Sequence, residues 1–320
     1  MEKYALWRDL AATARLPNLP TVVGNVTTAY LVLLALARTN LANTSVQPEW
    51  EPLKLACLIG AAVLLYLFGT FLNDAWDVDF DRKFRSDRPI VAGRLDRGRI
   101  LNCGFLAGAA ALVVTLPLGK FAPVVAFCLA GLILVYTWQH KISRFGPLWM
   151  GLCRAALVPL AGASVMSWWT LDMHFPLIWT GLAMGFLILY TVGISLVART
   201  EACGTRQSWL TGLALGIMAM PFLAPILGVA CVLLYFPDFH GWQSGALAGV
   251  CGSLGLAWLW FASAGLARGP EVFVSRSLAG FALVDAVLLL PVWLANPLYL
   301  ALPLGVFLSA LWLQRLAPAT

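Results

Sequence analysis

Apolar runs of 18 or more residues recur along the whole of this 320-residue chain, and nothing else in it limits the fold so sharply. The hydrocarbon core of a bilayer is roughly 30 Å thick, so each run is long enough to cross it as a helix. A soluble core has no room for that many. The runs place spans at about 19–37, 54–73, 100–118, 121–138, 147–167, 176–198, 209–235, 244–266 and 278–295. A stretch at about 297–315, cut from the last by "NP", is either a tenth helix or the second half of a broken ninth. The expected fold is all-α: a polytopic membrane bundle of about nine helices, or ten if the last stretch counts. The many prolines and glycines agree, because both are commoner in transmembrane helices than in soluble ones.

Only 11% of the residues are charged, and the basic ones set an orientation. Lys3, Arg8 and Arg15 precede the first span, and seven more run from Arg82 to Arg99. Lys141, Arg144, Arg199, Arg206, Arg268 and Arg276 follow later even-numbered spans, whereas odd-numbered loops hold Arg38, Lys54 and Lys120. By the positive-inside rule the N-terminus and the even-numbered loops face the cytoplasm. The net charge of +6 gathers into no single patch, so nucleic acid is not an expected partner. The opening "MEKYALWRDLAATARL" carries both signs of charge and leads straight into the first span. A short amphipathic surface helix is expected there, not a cleavable signal. The seven cysteines are scattered singly without a C-x-x-C pair, which points to neither zinc nor a disulfide framework. Asp172, His174, Asp238 and His240 fall in loops on the opposite side and read as solvated. The tryptophans of "SWWT" at 167–170 read as interfacial anchors.

Charge is concentrated in "NDAWDVDFDRKFRSDRPIVAGRL", from Asn73 to Leu95; with Asp96 just after it, six of the fifteen acidic residues lie from Asp74 to Asp96. At about 100° per residue, with Asp74 at zero, Asp77 falls at about 300°, Asp81 at about 340° and Asn73 at about 260°. These four share one helical face, and Asp79, at about 140°, lies on the other side. Three carboxylates and an amide oxygen together repel one another unless a cation joins them. Hard oxygens suit Mg²⁺, which takes one or two carboxylates plus substrate phosphates. A metal held there would polarise a diphosphate as a leaving group. Lys83, Arg85, Arg88 and Arg94 follow at once as partners for phosphate oxygens. A solvated cytoplasmic loop explains the arginines. It does not explain acids on one face at the end of an apolar helix, where charge is costly.

Asn73, Asp74, Asp77 and Asp81 form an intact N-D-x-x-D-x-x-x-D, and Arg88, Pro89 and Gly93 an R-P-x-x-x-G. In both, the chain resembles the UbiA superfamily of intramembrane prenyltransferases. "YTWQHK", Tyr136 to Lys141, is similar to that family's Y-P-x-x-K-R after span 4, with His140 and Lys141 in the basic positions. "RLPNLPTVVGN" before span 1 is similar too. The resemblance implies one UbiA-like transmembrane domain over residues 1–320, in a bacterial inner membrane. Its helices would surround a central cavity with a cytoplasmic mouth and a side opening to lipid. It implies Mg²⁺ bridging an isoprenyl diphosphate to Asn73, Asp74, Asp77 and Asp81, with Asp77 and Asp81 catalytic. Asn73, Lys83, Arg88, Lys141 and Arg154 would bind the substrate. The prenyl group would then pass, as an allylic carbocation, to a lipophilic and typically aromatic acceptor.

Half of the family's pattern is missing. Its second aspartate-rich motif belongs at the end of span 6, where this chain reads "YTVGISLVARTEACGTRQ" with Glu201 as the only acid. The expectation is an altered second site in which Arg199 and Glu201 take catalytic places and Arg199 meets phosphate directly. Arg154, in "GLCRAALVPLAGAS", falls inside span 5, where an arginine is a functional residue by default. Its candidate partners are Glu201, Asp285 and substrate phosphate. Together with "ISLVARTEA" it is similar to the UbiA-like proteins of bacterial ebo gene clusters, which are associated with processing or export of secondary metabolites. Two functions stay open. One is an Mg²⁺-dependent prenyltransferase; the other is a non-catalytic relative that binds a prenyl lipid or hydrophobic metabolite. A transporter is disfavoured, because the charge lies at the mouth and not at the bilayer midplane.

Overall fold

The structure, a computed structural model, describes residues 2–40, 51–141, 143–165, 174–202, 208–235, 242–293 and 297–316. Asp172, Asp238, His240 and the "SWWT" stretch lie outside the described residues, as do the side chains of His174 and Glu201. Helices dominate, and no strand is present among the described residues. That is the outcome required where no water is at hand to satisfy a backbone amide.

In chain order the helices are α1 (Glu2–Thr13), α2 (Leu19–Asn40), α3 (Pro52–Trp76), α4 (Val78–Phe84), α5 (Arg97–Val114), α6 (Ala122–Gln139), α7 (Gly146–Ala155) and α8 (Leu157–Val165). There follow α9 (His174–Ala202), α10 (Ser208–Tyr235), α11 (Trp242–Ala264), α12 (Pro270–Ala279), α13 (Phe281–Leu288), α14 (Leu290–Trp293) and α15 (Ala301–Leu313). Local chemistry sets several starts. Pro52 occupies the first turn of α3, where its missing N–H costs nothing. Asp96 caps α5 by accepting the Arg99 N–H at 2.8 Å. Pro221 and Pro225 lie inside α10 without ending it, as membrane helices tolerate when neighbours re-satisfy the backbone.

Among the described residues, eight stretches are long and apolar enough to cross a membrane: Leu16–Arg38, Pro52–Trp76, Arg97–Leu118, Ala122–Gln139, Gly146–Val165, Pro176–Arg199, Ser208–Gly228 and Gly245–Ala267. They overlap the first eight expected spans. The ninth differs. It begins earlier, at Pro270, and is broken into α12, α13 and α14. At the first break Tyr190 donates its hydroxyl to the Ser277 carbonyl at 2.9 Å, and a Cβ on Gly280 would fall 2.1 Å from that hydroxyl. A side chain inserted into the helical ladder is a recognised cause of such a bend. The apolar helix Leu298–Leu313 beyond it is shorter than the eight.

The leading apolar stretch is the hub. Over its window, 72% is buried, more than in any other span. It packs α2 against α3, α8, α13 and α15 around Val26, Tyr30 and Leu33. The contact with α13 is close: a Cβ on Gly24 would lie 2.7 Å from Asp285 Oδ2. Outer helices turn large apolar side chains outward, among them Phe105, Phe127, Leu182, Leu254 and Trp260. That much apolar surface needs lipid to cover it.

Candidate functional site

Asn73 and Asp74 sit on the last turn of α3, which bends at Asp77 (φ −82°, ψ 3°) before α4. The helical ladder survives the bend. The Asp77 N–H donates to the Asn73 carbonyl at 2.9 Å, and the Asp81 N–H to the Asp77 carbonyl at 2.8 Å. The helical phase therefore carries through. Asn73, Asp74, Asp77 and Asp81 keep only 6, 6, 7 and 2% exposure. Asp79 points away, its side chain 83% exposed and paired with Arg82.

Basic groups reach all three buried carboxylates. Asp74 Oδ1 receives Arg15 Nη2 at 3.1 Å and Arg88 Nη1 at 2.5 Å. The same Arg88 nitrogen lies 3.6 Å from Asp81 Oδ2. Asp77 Oδ2 has Lys141 Nζ at 3.0 Å, His140 Nε2 at 3.1 Å and Asn73 Nδ2 at 3.2 Å. Burial pushes the Asp77 pKa up, but the hydrogen bonds and charges of His140 and Lys141 outweigh it and hold it below the usual carboxylate value. At Asp81 burial wins over Arg88 and raises the pKa. Burial also lowers Lys141 despite Asp77, and it lowers Arg88 with the repulsion of Arg15 added. Arg15 goes the other way: burial lowers it, but the charge and hydrogen bond of Asp74, with Tyr66 and Tyr136, together outweigh that burial.

Short local devices aim these groups. Arg88 opens a turn in which the Ala92 N–H reaches its carbonyl at 2.8 Å. Gly93 completes that turn at φ +70°, a region glycine enters without steric cost. Arg15 links α1 to α2 at φ +46°, uncommon for a residue with a side chain. That conformation puts its guanidinium on Asp74 and its carbonyl on the Tyr66 hydroxyl at 3.2 Å. His140 follows α6 with Nδ1 3.0 Å from the Thr137 carbonyl, which leaves Nε2 for Asp77. Arg199 of α9 donates to the carbonyls of His140, of Ser143 at 2.8 Å and of Arg144 at 3.3 Å. It thus fastens the loop that carries Lys141.

A cavity of about 510 Å³ opens among these groups, walled by Asp77, Arg88, His140, Lys141 and Arg199. A second chamber of about 160 Å³ adjoins it, the two sharing Arg15, Asn73, Tyr136 and Met150. Its walls are mostly apolar, with Leu65, Leu129, Ile133 and Phe281, and it extends to Arg154. Arg154 Nε donates to Asn25 Oδ1 at 2.5 Å, and Asn25 Nδ2 donates to Asp285 Oδ1 at 2.6 Å. The amide of Asn25 therefore bridges the two opposite charges.

The donor set at the mouth suits one Mg²⁺ ion that arrives with a phosphate. Asn73 Oδ1 is buried without a hydrogen-bond partner, a hard oxygen beside Asp77. Mg²⁺ keeps few protein ligands and fills its shell from substrate and water. An all-protein cage is absent: no three His, Cys, Asp or Glu side chains converge on one point among the described residues. On the facing helix α9, Arg199 brings a cation toward this cavity.

Asn73, Asp77, Arg88, Lys141 and Arg199 line one cavity, with Asp74 and Asp81 ion-paired beside it. Lys83, expected on phosphate, is exposed on α4 and off the cavity wall. The reason is its phase: it falls at about 180° from Asp74 on the helical wheel, on the far side, whereas Arg85 falls at about 20° and lines the cavity. Arg94, also expected there, pairs with Asp9 at 2.9 Å. Arg154 belongs to the inner chamber and not to the mouth. Arg15 and Asn25 were not singled out by their types; their only signal was the "RLPNLPTVVGN" segment.

Residues 32–272 match the UbiA prenyltransferase family. Two solved structures are similar in fold. The apo structure of a UbiA homolog from Aeropyrum pernix K1 has a TM-score of 0.64 at 17% identity, over 83% of this chain and 96% of that one. A structure of digeranylgeranylglyceryl phosphate synthase in membranes has a TM-score of 0.56 at 16% identity, over 95% of this chain and 99% of that one. No curated protein matches this chain significantly. A match across most of the chain, with the same helical bundle behind it, leads to one conclusion: the chain belongs to the UbiA prenyltransferase family.

Proposed function

We propose that this chain binds an isoprenyl diphosphate and transfers its prenyl group to a lipophilic acceptor. The observation that carries the reading is the pair of adjoining cavities. One is the more polar and carries basic side chains in its wall; the other is more apolar and shares Arg15, Asn73, Tyr136 and Met150 with it. An amphiphile with an anionic head and an isoprenoid tail is the ligand class that fits both halves. Arg15, Arg88 and Lys141 would exchange part of their carboxylate contacts for phosphate oxygens, and Arg199 would keep the Lys141 loop in place. One Mg²⁺ would be held by Asn73 and Asp77 with Asp81 near. A departing diphosphate would gain charge neutralisation from such an ion. In transfer, the allylic C–O bond breaks with its electron pair on the diphosphate, and a nucleophilic atom of the acceptor bonds the freed carbon. The acceptor's proton leaves to the released diphosphate. The apolar walls exclude water, which would otherwise consume the allylic cation. The bias of basic residues toward the even-numbered loops supports a mouth on the cytoplasmic face, and the resemblance above a bacterial inner membrane.

A second reading keeps the binding and drops the turnover. All three carboxylates already have basic partners, and α9 offers Arg199 where acids are the family pattern. A prenyl-lipid binder in secondary-metabolite processing, like the ebo-cluster proteins, fits those facts. Binding of labelled farnesyl diphosphate to detergent-solubilised protein tests both. Expected is tight binding with Mg²⁺, weaker binding in EDTA, and a loss of about tenfold or more in Asp77→Asn. Unchanged binding in that variant would sink both readings. Product formation with a panel of lipophilic acceptors then separates transferase from binder.

A further inference from the structure

Arg154 places a cation within the Gly146–Val165 span, on the wall of the apolar chamber. A guanidinium carries five N–H donors. Here Nε–H goes to Asn25 Oδ1, which is the one hydrogen bond Arg154 makes among the described residues, and Nη2 is buried with no partner. The guanidinium lies over the Phe281 ring, with Cζ 4.2 Å from the ring centroid. The counter-charge is held off. Asp285 reaches Arg154 only through the Asn25 amide, and it lies close against Gly24. A direct ion pair would have occupied the guanidinium fork with carboxylate oxygens. The amide bridge keeps the side chain in position and leaves the fork without an acceptor. A charge so placed inside a bilayer is retained for a partner.

We propose that Arg154 centres a second polar subsite, in the inner chamber, for an anionic oxygen on an otherwise apolar ligand. On the prenyl-transfer reading, on which this assignment rests, that ligand is the acceptor. A carboxylate or phenolate would meet the guanidinium fork. Its apolar body would lie along Leu129, Ile133 and Phe281, on the tail side of the mouth. Asn25 and Asp285 act as positioning residues that hold the fork toward the chamber.

The test uses the full chain in phosphatidylcholine nanodiscs, with inorganic diphosphate saturating the mouth. Geranic acid and geraniol, which share a carbon skeleton and differ in charge, are titrated in turn at neutral pH by calorimetry. The acid is expected to bind about tenfold tighter than the alcohol or better, as charge-assisted hydrogen bonds allow. Arg154→Gln should erase that preference and leave inorganic diphosphate binding unchanged; Arg154→Lys should keep part of it. Equal binding of acid and alcohol by the native chain overturns the proposal. So does a preference that survives Arg154→Gln, or one lost instead in Arg88→Gln, which would seat the acid at the mouth. Loss of the acid signal on adding phosphatidylglycerol would make the occupant a membrane lipid and overturn the acceptor assignment. The native acid-to-alcohol ratio needs no variant, so a failure of Arg154→Gln to fold leaves the test decisive. Diphosphate binding is read separately: its absence, with the acid preference intact, refutes the prenyl-transfer reading and the acceptor role, and leaves the anionic subsite at Arg154 standing.

Discussion

Asp74 accepts two arginines on the same oxygen, Arg15 from before the first span and Arg88 from after the second. Either alone leaves the buried carboxylate one partner; losing both leaves a charge without compensation. Arg15→Gln and Arg88→Gln together should therefore cost more than the sum of the two, by roughly 0.5–3 kcal/mol in a double-mutant cycle. Thermal unfolding in detergent reads this, and simple additivity would show that the shared carboxylate is not coupled. Asp77 gives a pH signature. Its pKa is below the ordinary value in the fold, so its contribution is present above the ordinary carboxylate range and is lost as the pH falls through the folded value. Asp81, raised by burial, works in the opposite direction. The contrast is thus best read against Asp77→Asn, whose stability should fall less steeply than that of the native chain below about pH 4. The aspartates could be sorted from the sequence because phase along one helix is local arithmetic. The Arg15–Asp74 contact could not, since 59 residues separate the pair and a left-handed backbone at Arg15 aims it. Lys83 was misplaced by neighbourhood: being next to the motif is not being on its face.

Helix packing turns on a few close approaches. At Gly24, α2 meets both Asp285 Oδ2, 2.7 Å from a Cβ, and Val306 at 3.0 Å. Neither can yield easily, one being tied to Asn25 and the other buried. Gly24→Ala should destabilise the chain by about 1–3 kcal/mol through overpacking, measured as detergent thermal stability, and an unchanged midpoint would contradict the packing described. Apolar length announced the spans, the ninth among them, because the bilayer imposes that length on the sequence itself. The breaks of the ninth escaped it. The first break depends on the Tyr190 hydroxyl of α9 and on the small residue at Gly280 that it faces, and such tertiary insertions leave no trace in hydropathy.

Across the whole molecule, a basic mouth and a more apolar chamber share one wall that includes Arg15, Asn73, Tyr136 and Met150. Membrane class, the first eight spans and the acidic half of the mouth were legible in the chain. The basic half was legible only in part, because it is assembled from the segments that follow α4 and α6, from α9 and from the segment before α2. That shared wall has a consequence for affinity. Head and tail of one ligand rest in media of different dielectric, so each should answer to its own variable. Raising ionic strength weakens the head contacts by screening and leaves the tail term nearly untouched. Lengthening the tail adds about 0.8 kcal/mol per buried methylene until the chamber is filled, at constant salt sensitivity. Plotted against the logarithm of salt concentration, dissociation constants for diphosphates of increasing length should give parallel lines, displaced from one another by the carbon count alone.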